Sequence, residues 1–165
     1  MAELTVLDEK LAEVLGLAQA AQEATKKVIG LVEDDDVKST LEQMQQEAAE
    51  TEQRATQVAD GIEGKKTALL EKARETKGEA TEMMKTYLGD DADGLDGLEF
   101  LVMAEAGELG HVEIAGTLSE RSLGESVNQV RELLDWAQPI QERHFTQTRE
   151  AALKLAQQED PDEVE

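Results

Sequence analysis

The sequence predicts an all-α protein of four long helices, with a helical crossover joining the second to the third. Three observations carry this. The chain is rich in Ala, Leu, Glu and Gln, with only two prolines and 2% aromatic residues, a composition that favours helix over sheet. Small and apolar residues recur three and four apart over long stretches, the stripe of an amphipathic helix. The stretch GLDGLEFLVMAEAGELGHVEIAGTL, Gly94 to Leu118, is apolar around most of a helical circumference, so it is expected to be buried on most sides.

The first helix follows from Leu4, Leu7, Leu11, Val14, Ala18, Ala21, Thr25, Val28 and Val32, a heptad stripe. Thr5 or Asp8 can cap its start. The acidic run Glu33–Asp36 ends it and supplies carboxylates to the N-terminus of the next helix, where the helix dipole favours them. The second helix begins near Val37 and carries Leu41, Met44, Ala48, Thr51, Ala55, Val58 and Ile62. Gly61 and Gly64 stop it, and the short linker before it makes an antiparallel hairpin with the first helix.

Lys65 to Leu88 reads as two short helices interrupted at Gly78. A crossover of this length lets the third long helix run parallel to the second. Gly89 to Gly97, GDDADGLDG, is expected to be an acidic loop. It imitates part of a calcium loop through Asp91, Asp93 and Gly94, but Phe100 stands where the bidentate Glu is required, so a capping turn is the better reading. In the third long helix, Gly107, Gly110 and Gly116 suggest close approach of a neighbouring backbone. That helix ends near Arg121, and Ser122 can cap the fourth, whose stripe is Val127, Val130, Leu134, Ala137, Gln141, His144, Thr148, Ala151 and Leu155. Pro139 lies inside it and is expected to kink it. Residues 1–156 thus form one helical unit, and 157–165 an acidic tail expected to be disordered.

Composition also bounds function. The absence of cysteine excludes disulfides, thiolate zinc sites and iron–sulfur clusters. A formal net charge of −22 argues against nucleic acid and anionic membrane surfaces as partners, since their phosphates would be repelled. No leader-like apolar segment follows a basic start and no run of 18 apolar residues occurs, so a cytoplasmic protein is expected. The apolar face around Phe100, Met103, Ile114 and Leu118 predicts a homodimer if the crossover leaves it uncovered.

Polar residues on the stripes are the candidates for chemistry. Glu108 and His111 form a Glu-x-x-His, half of a di-metal site in a four-helix bundle. Glu47 and His144 complete the set of candidate metal ligands, and iron or another divalent ion is the cofactor they would hold. Glu105 lies among Leu98, Val102, Leu109 and Val112. If buried, it needs Arg131, His144 or Gln141 as partner, or it keeps its proton. The midpoints of the first two helices, Ala18, Ala21 and Thr25 and Ala48, Thr51 and Ala55, supply no carboxylate. No nucleophile–base set or phosphate loop is visible, so no enzyme signature is present.

Three segments resemble the YciF-type family of ferritin-like, stress-associated bacterial proteins. Leu41 to Ile62 is similar to its second helix, GKKTALLE from Gly64 to the start of its crossover, and GHVEIAGTL from Gly110 to the centre of its third helix. The resemblance implies a ferritin-like four-helix bundle of poorly defined function. It also implies where di-iron ligands would fall: on Ala18, on Met44 with Glu47 three residues on, on Gly110 with His111 and Glu113 following, and on Gln141, Glu142 and His144. The reading is therefore a structural or interaction protein with a degenerate di-iron site and no cofactor. The alternative is an iron-handling or oxidase-type bundle with an unusual ligand set.

Overall fold

The computed structural model describes residues 2–164. It contains five α-helices and no strand among the described residues: α1 (Val6–Ile29), α2 (Asp35–Gly61), α3 (Lys66–Tyr87), α4 (Gly94–Arg121) and α5 (Val127–Ala156). The crossover is thus a single helix of 22 residues rather than two short ones. Gly78 does not break it, because nothing crowds that position and a lone glycine costs an otherwise helical segment only about 1 kcal/mol.

Local chemistry sets the ends. Thr5 caps α1 in a capping box with Asp8, so both candidate residues take part. Asp34 caps α2 by accepting from the Asp36 and Val37 amides. Gly64 adopts φ 74° in the turn that follows, a conformation open to glycine at little cost. Asp93 caps α4 with Asp96 in a second capping box, so helix begins inside the expected acidic loop and one of the two calcium-like aspartates serves as its cap. Ser122 does not cap α5. It ends α4, and α5 starts after Ser126 without a side-chain cap. Helix α5 runs unbroken through Pro139.

Side-chain contacts give the directions. The end of α1 meets the start of α4, where a Cβ on Gly97 would stand 2.9 Å from Val28 Cγ1. The start of α5 meets the end of α2 at Gln129 and Gly61, and its last turn meets the start of α2 through Lys154 and Asp34, 2.6 Å apart. Consequently α1 and α5 run one way and α2 and α4 the other. Helix α1 packs on α2 and α4, and α5 closes the ring against the same two. Helix α3 lies mainly on the outside of α1, parallel to it, held by Lys65 Nζ on Asp8 Oδ2 at one end (2.6 Å) and Lys27 Nζ on the Leu88 carbonyl at the other (3.2 Å). Burial works against the Asp8 anion, but the Lys65 bond and charge and the Thr5 cap outweigh it and hold this carboxyl below its usual range.

The glycines act differently from expectation. Gly107, Gly110 and Gly116 have open space where a Cβ would point. Close approach occurs instead at Gly97 and at Gly16, where α1 meets the backbone of α3. Helix α4 is also less enclosed than its composition suggests. Phe100 is covered, in part by Tyr87 with ring centroids 6.1 Å apart, but Met103 and Ile114 are about half exposed. The composition of α4 sets how apolar its faces are, but α3 lies against α1 and leaves one of them uncovered.

The core falls into two apolar clusters. One gathers Leu11, Leu15, Leu69, Val112 and Leu134. The other gathers Val28, Leu41, Met44, Leu98 and Leu101. Between them the ring is polar.

Candidate functional site

The polar layer at the waist is built from α2, α4 and α5. His144 projects from the α5 stripe into the ring and is 2% exposed, as buried as the leucines around it. Its Nε2 lies 3.1 Å from Glu47 Oε2 on α2, and its Nδ1 lies 3.5 Å from Glu105 Oε2 on α4. Both ring nitrogens therefore face carboxylates. The shorter contact, from Nε2 to Glu47, is a hydrogen bond. One turn earlier on α5, the Gln141 amide donates from Nε2 to Glu105 Oε2 and to Glu108 Oε2, each at 3.2 Å. Thr51 and Thr148 complete the layer and donate to the carbonyls of Glu47 and His144 one turn back (2.9 Å each). No buried side-chain nitrogen or oxygen among the described residues lacks a partner, as a stable polar layer requires.

Charge is distributed unevenly across this layer. Glu47 sits at its outer edge. Burial works against its ionised form, but hydrogen bonds from Gln43 and His144 and the nearby charges of His144 and Arg143 hold its pKa below the usual value. Glu108 goes the other way. Burial, and then the neighbouring charge of Glu105, push its carboxyl well above the ordinary range, with the Gln141 hydrogen bond opposing. A carboxyl with a raised folded-state pKa binds its proton more tightly in the native state, so the fold loses stability as pH rises from the unfolded to the folded pKa. Glu108→Gln is accordingly expected to raise the melting temperature at pH 7 to 8, with the gain closing below about pH 4. Paired thermal melts across that range check it, and an unchanged or lower melting temperature at pH 8 would contradict the burial argument.

The sequence candidates are not brought together as one site. Glu47 and His144 meet. Glu108 turns inward to Gln141. His111 stands at the rim instead, its Nδ1 2.8 Å from the Gly107 carbonyl and its Nε2 3.4 Å from Glu13 Oε2. Glu105 is buried as its apolar flanks suggested, with His144 and Gln141 as partners. Arg131 is spent elsewhere and donates to the Ser119 carbonyl. The ion pair between Arg143 and Glu47 joins residues 96 apart in sequence, and nothing in the local pattern signals it.

Tested against a di-metal centre, the donor set does not fit. Helix α1 turns Ala18, Ala21 and Thr25 inward, and the carboxylates of the other helices are engaged by donors of the chain itself. Among the described residues no group of three or more His, Asp or Glu side chains is arranged to hold a metal ion.

A second feature adjoins the polar layer. Between α1, α3 and α4 runs a groove of about 250 Å³ lined by Ala20, Ala24, Met84, Met103, Glu105 and Glu108 among others. It exists because α3 packs on α1 and barely touches α4. The sequence reading missed it, and its signal is faint: alanines on α1 and an open glycine, Gly107, on α4.

No helix among the described residues is long and apolar enough to cross a membrane. Comparison with protein-family models, curated proteins and solved structures finds no match to this chain. Among the described residues the chain is all-α.

Proposed function

We propose that this chain is a ferritin-like bundle of YciF-type layout that works without a metal centre, as a non-catalytic structural or interaction protein. The layout is supported by the parallel course of α2 and α4, which a helical crossover permits. The observation that carries the metal-free reading is the filling of the waist. Where a di-iron site needs inward carboxylates from four helices, α1 offers alanine and threonine, and Glu47, Glu105 and Glu108 are bonded to His144 and Gln141. Two divalent ions in a low-dielectric interior need several free anionic ligands to offset their desolvation. Elemental analysis of protein purified without chelator is expected to find well under one iron per chain. Added ferrous ion should leave the melting temperature nearly unchanged, since a ligand stabilises only by binding the native state. Two firmly held irons per chain would overturn the proposal.

The alternative is a divalent-metal protein with an unusual ligand set. One observation favours it: Glu47 on α2 and Glu105 on α4 both contact the His144 ring on α5. His111 lies outside that convergence. One ion held per chain, and lost in both His144→Gln and Glu105→Gln, would establish this second reading over the first.

A further inference from the structure

We propose that the groove between α1, α3 and α4 binds a small amphiphilic cation, an alkylamine-like molecule whose ammonium group meets Glu105 and Glu108 and whose chain lies among the alanines and methionines. The wall is apolar over most of its extent, with Ala20, Ala24, Met84 and Met103 along it. Ligand sites are typically apolar clefts with a few convergent polar groups that fix orientation, and methionine suits an adaptable apolar wall.

The ionisable groups of the lining are acidic apart from His111, and Thr81 is its other polar residue. Glu105 and Glu108 line the groove together, with His111 beyond them, and no lysine or arginine lines it. Glu105 Oε2 has the His144 ring 3.5 Å away, whereas among the described residues Glu108 has no ion-pair partner and receives a hydrogen bond only from Gln141, an uncharged amide. Burial beside Glu105, with no cation near, pushes the Glu108 carboxyl up, and an ammonium head supplies the missing counter-charge while its apolar tail fills the slot. The two glutamates oppose a fatty acid, whose carboxylate would be repelled, and a neutral alcohol brings Glu108 no counter-charge. A volume of about 250 Å³ suits a short chain rather than a lipid. The proposal rests on the metal-free reading in one respect, that Glu105 and Glu108 do not serve a metal.

The experiment uses the full chain, with its metal content measured on the same sample so that failure of the metal-free reading is seen separately. Isothermal titration with n-octylammonium, octan-1-ol and octanoate, each below its aggregation threshold, compares head groups on one tail. The amine is expected to bind at one per chain, about tenfold or more tighter than the alcohol, and octanoate not at all. Two variants separate the site from general attraction of cations to an acidic surface. Gly107→Leu places a side chain at the groove mouth, where a Cβ meets nothing within 4 Å; it keeps the net charge, raises helix propensity, and should abolish binding. Glu105→Gln with Glu108→Gln should remove the preference for the amine while leaving the weak alcohol binding. Equal binding of amine and alcohol, unchanged amine binding in Gly107→Leu, or no saturable amine binding by protein shown to be metal-free would each overturn the proposal. An apolar occupant such as a second copy of the chain would show as an oligomer in sedimentation that Gly107→Leu disrupts, with no amine titration.

Discussion

Replacing His144 with alanine is expected to lower stability by about 3–5 kcal/mol, the usual cost of removing one partner from a buried charged contact. For a chain of this size that corresponds to roughly 10 °C in melting temperature. The reason is what the ring leaves behind. His144 is 2% exposed and Glu105 1% exposed, so water does not replace the lost contact, and Glu105 is left with Gln141 alone. Glu47 suffers less because Arg143 also reaches it, and that pair is exposed enough to be worth little by itself. His144→Gln, which keeps a donor, should recover part of the loss. Urea unfolding of the two variants checks this, and a His144→Ala protein as stable as the parent would show that the layer contributes no net stability.

Gly16→Ala is the second large effect, and it runs against helix propensity. In an open helix position, glycine to alanine stabilises by up to about 1 kcal/mol. At Gly16 the added methyl would collide with the Ala73 carbonyl oxygen and stand 2.9 Å from Thr76 Cβ. The first of these is backbone and cannot rotate away, so α3 has to shift off α1. Overpacking of this kind costs about 1–3 kcal/mol, and a matching drop in denaturation midpoint is expected. Gly107→Ala is the internal control, because its Cβ meets nothing within 4 Å and it should be neutral or stabilising. If both variants gained stability alike, the α1–α3 contact would not be as close as described.

Acidic residues of this chain respond differently according to their surroundings. Glu47 and Asp8 are held below the usual carboxylate range by donors. Their contributions are present above the ordinary carboxylate pKa and are lost as pH falls through the lowered values. Glu108 contributes with the opposite sign. Three acidic residues on three helices thus respond to acid in two directions, according to whether donors and cations outweigh burial or burial and a neighbouring carboxylate prevail.

Composition and periodicity were enough to place α1, α2, α4 and α5, but not to read α3 as one helix. The stripes of α1, α2 and α5 were legible because an amphipathic helix writes its buried face at intervals of three and four, and caps such as Thr5, Asp34 and Asp93 are local chemistry. The burial of Glu105, Gln141 and His144 could be read from the same stripes. What the tertiary structure alone decided is which side chains meet. Glu108 and His111 share a helix turn, yet the rotation of α4 sends one inward and leaves the other at the rim. Glu47 and His144 lie 97 residues apart and meet because α2 and α5 are antiparallel neighbours. Gly78 looked like a break and Gly107 like a contact point, but a glycine's role depends on what stands opposite it, and both face open space while Gly16 touches backbone. The groove is likewise a product of packing: α3 leans on α1, and the space left beside α4 corresponds to no continuous stretch of sequence.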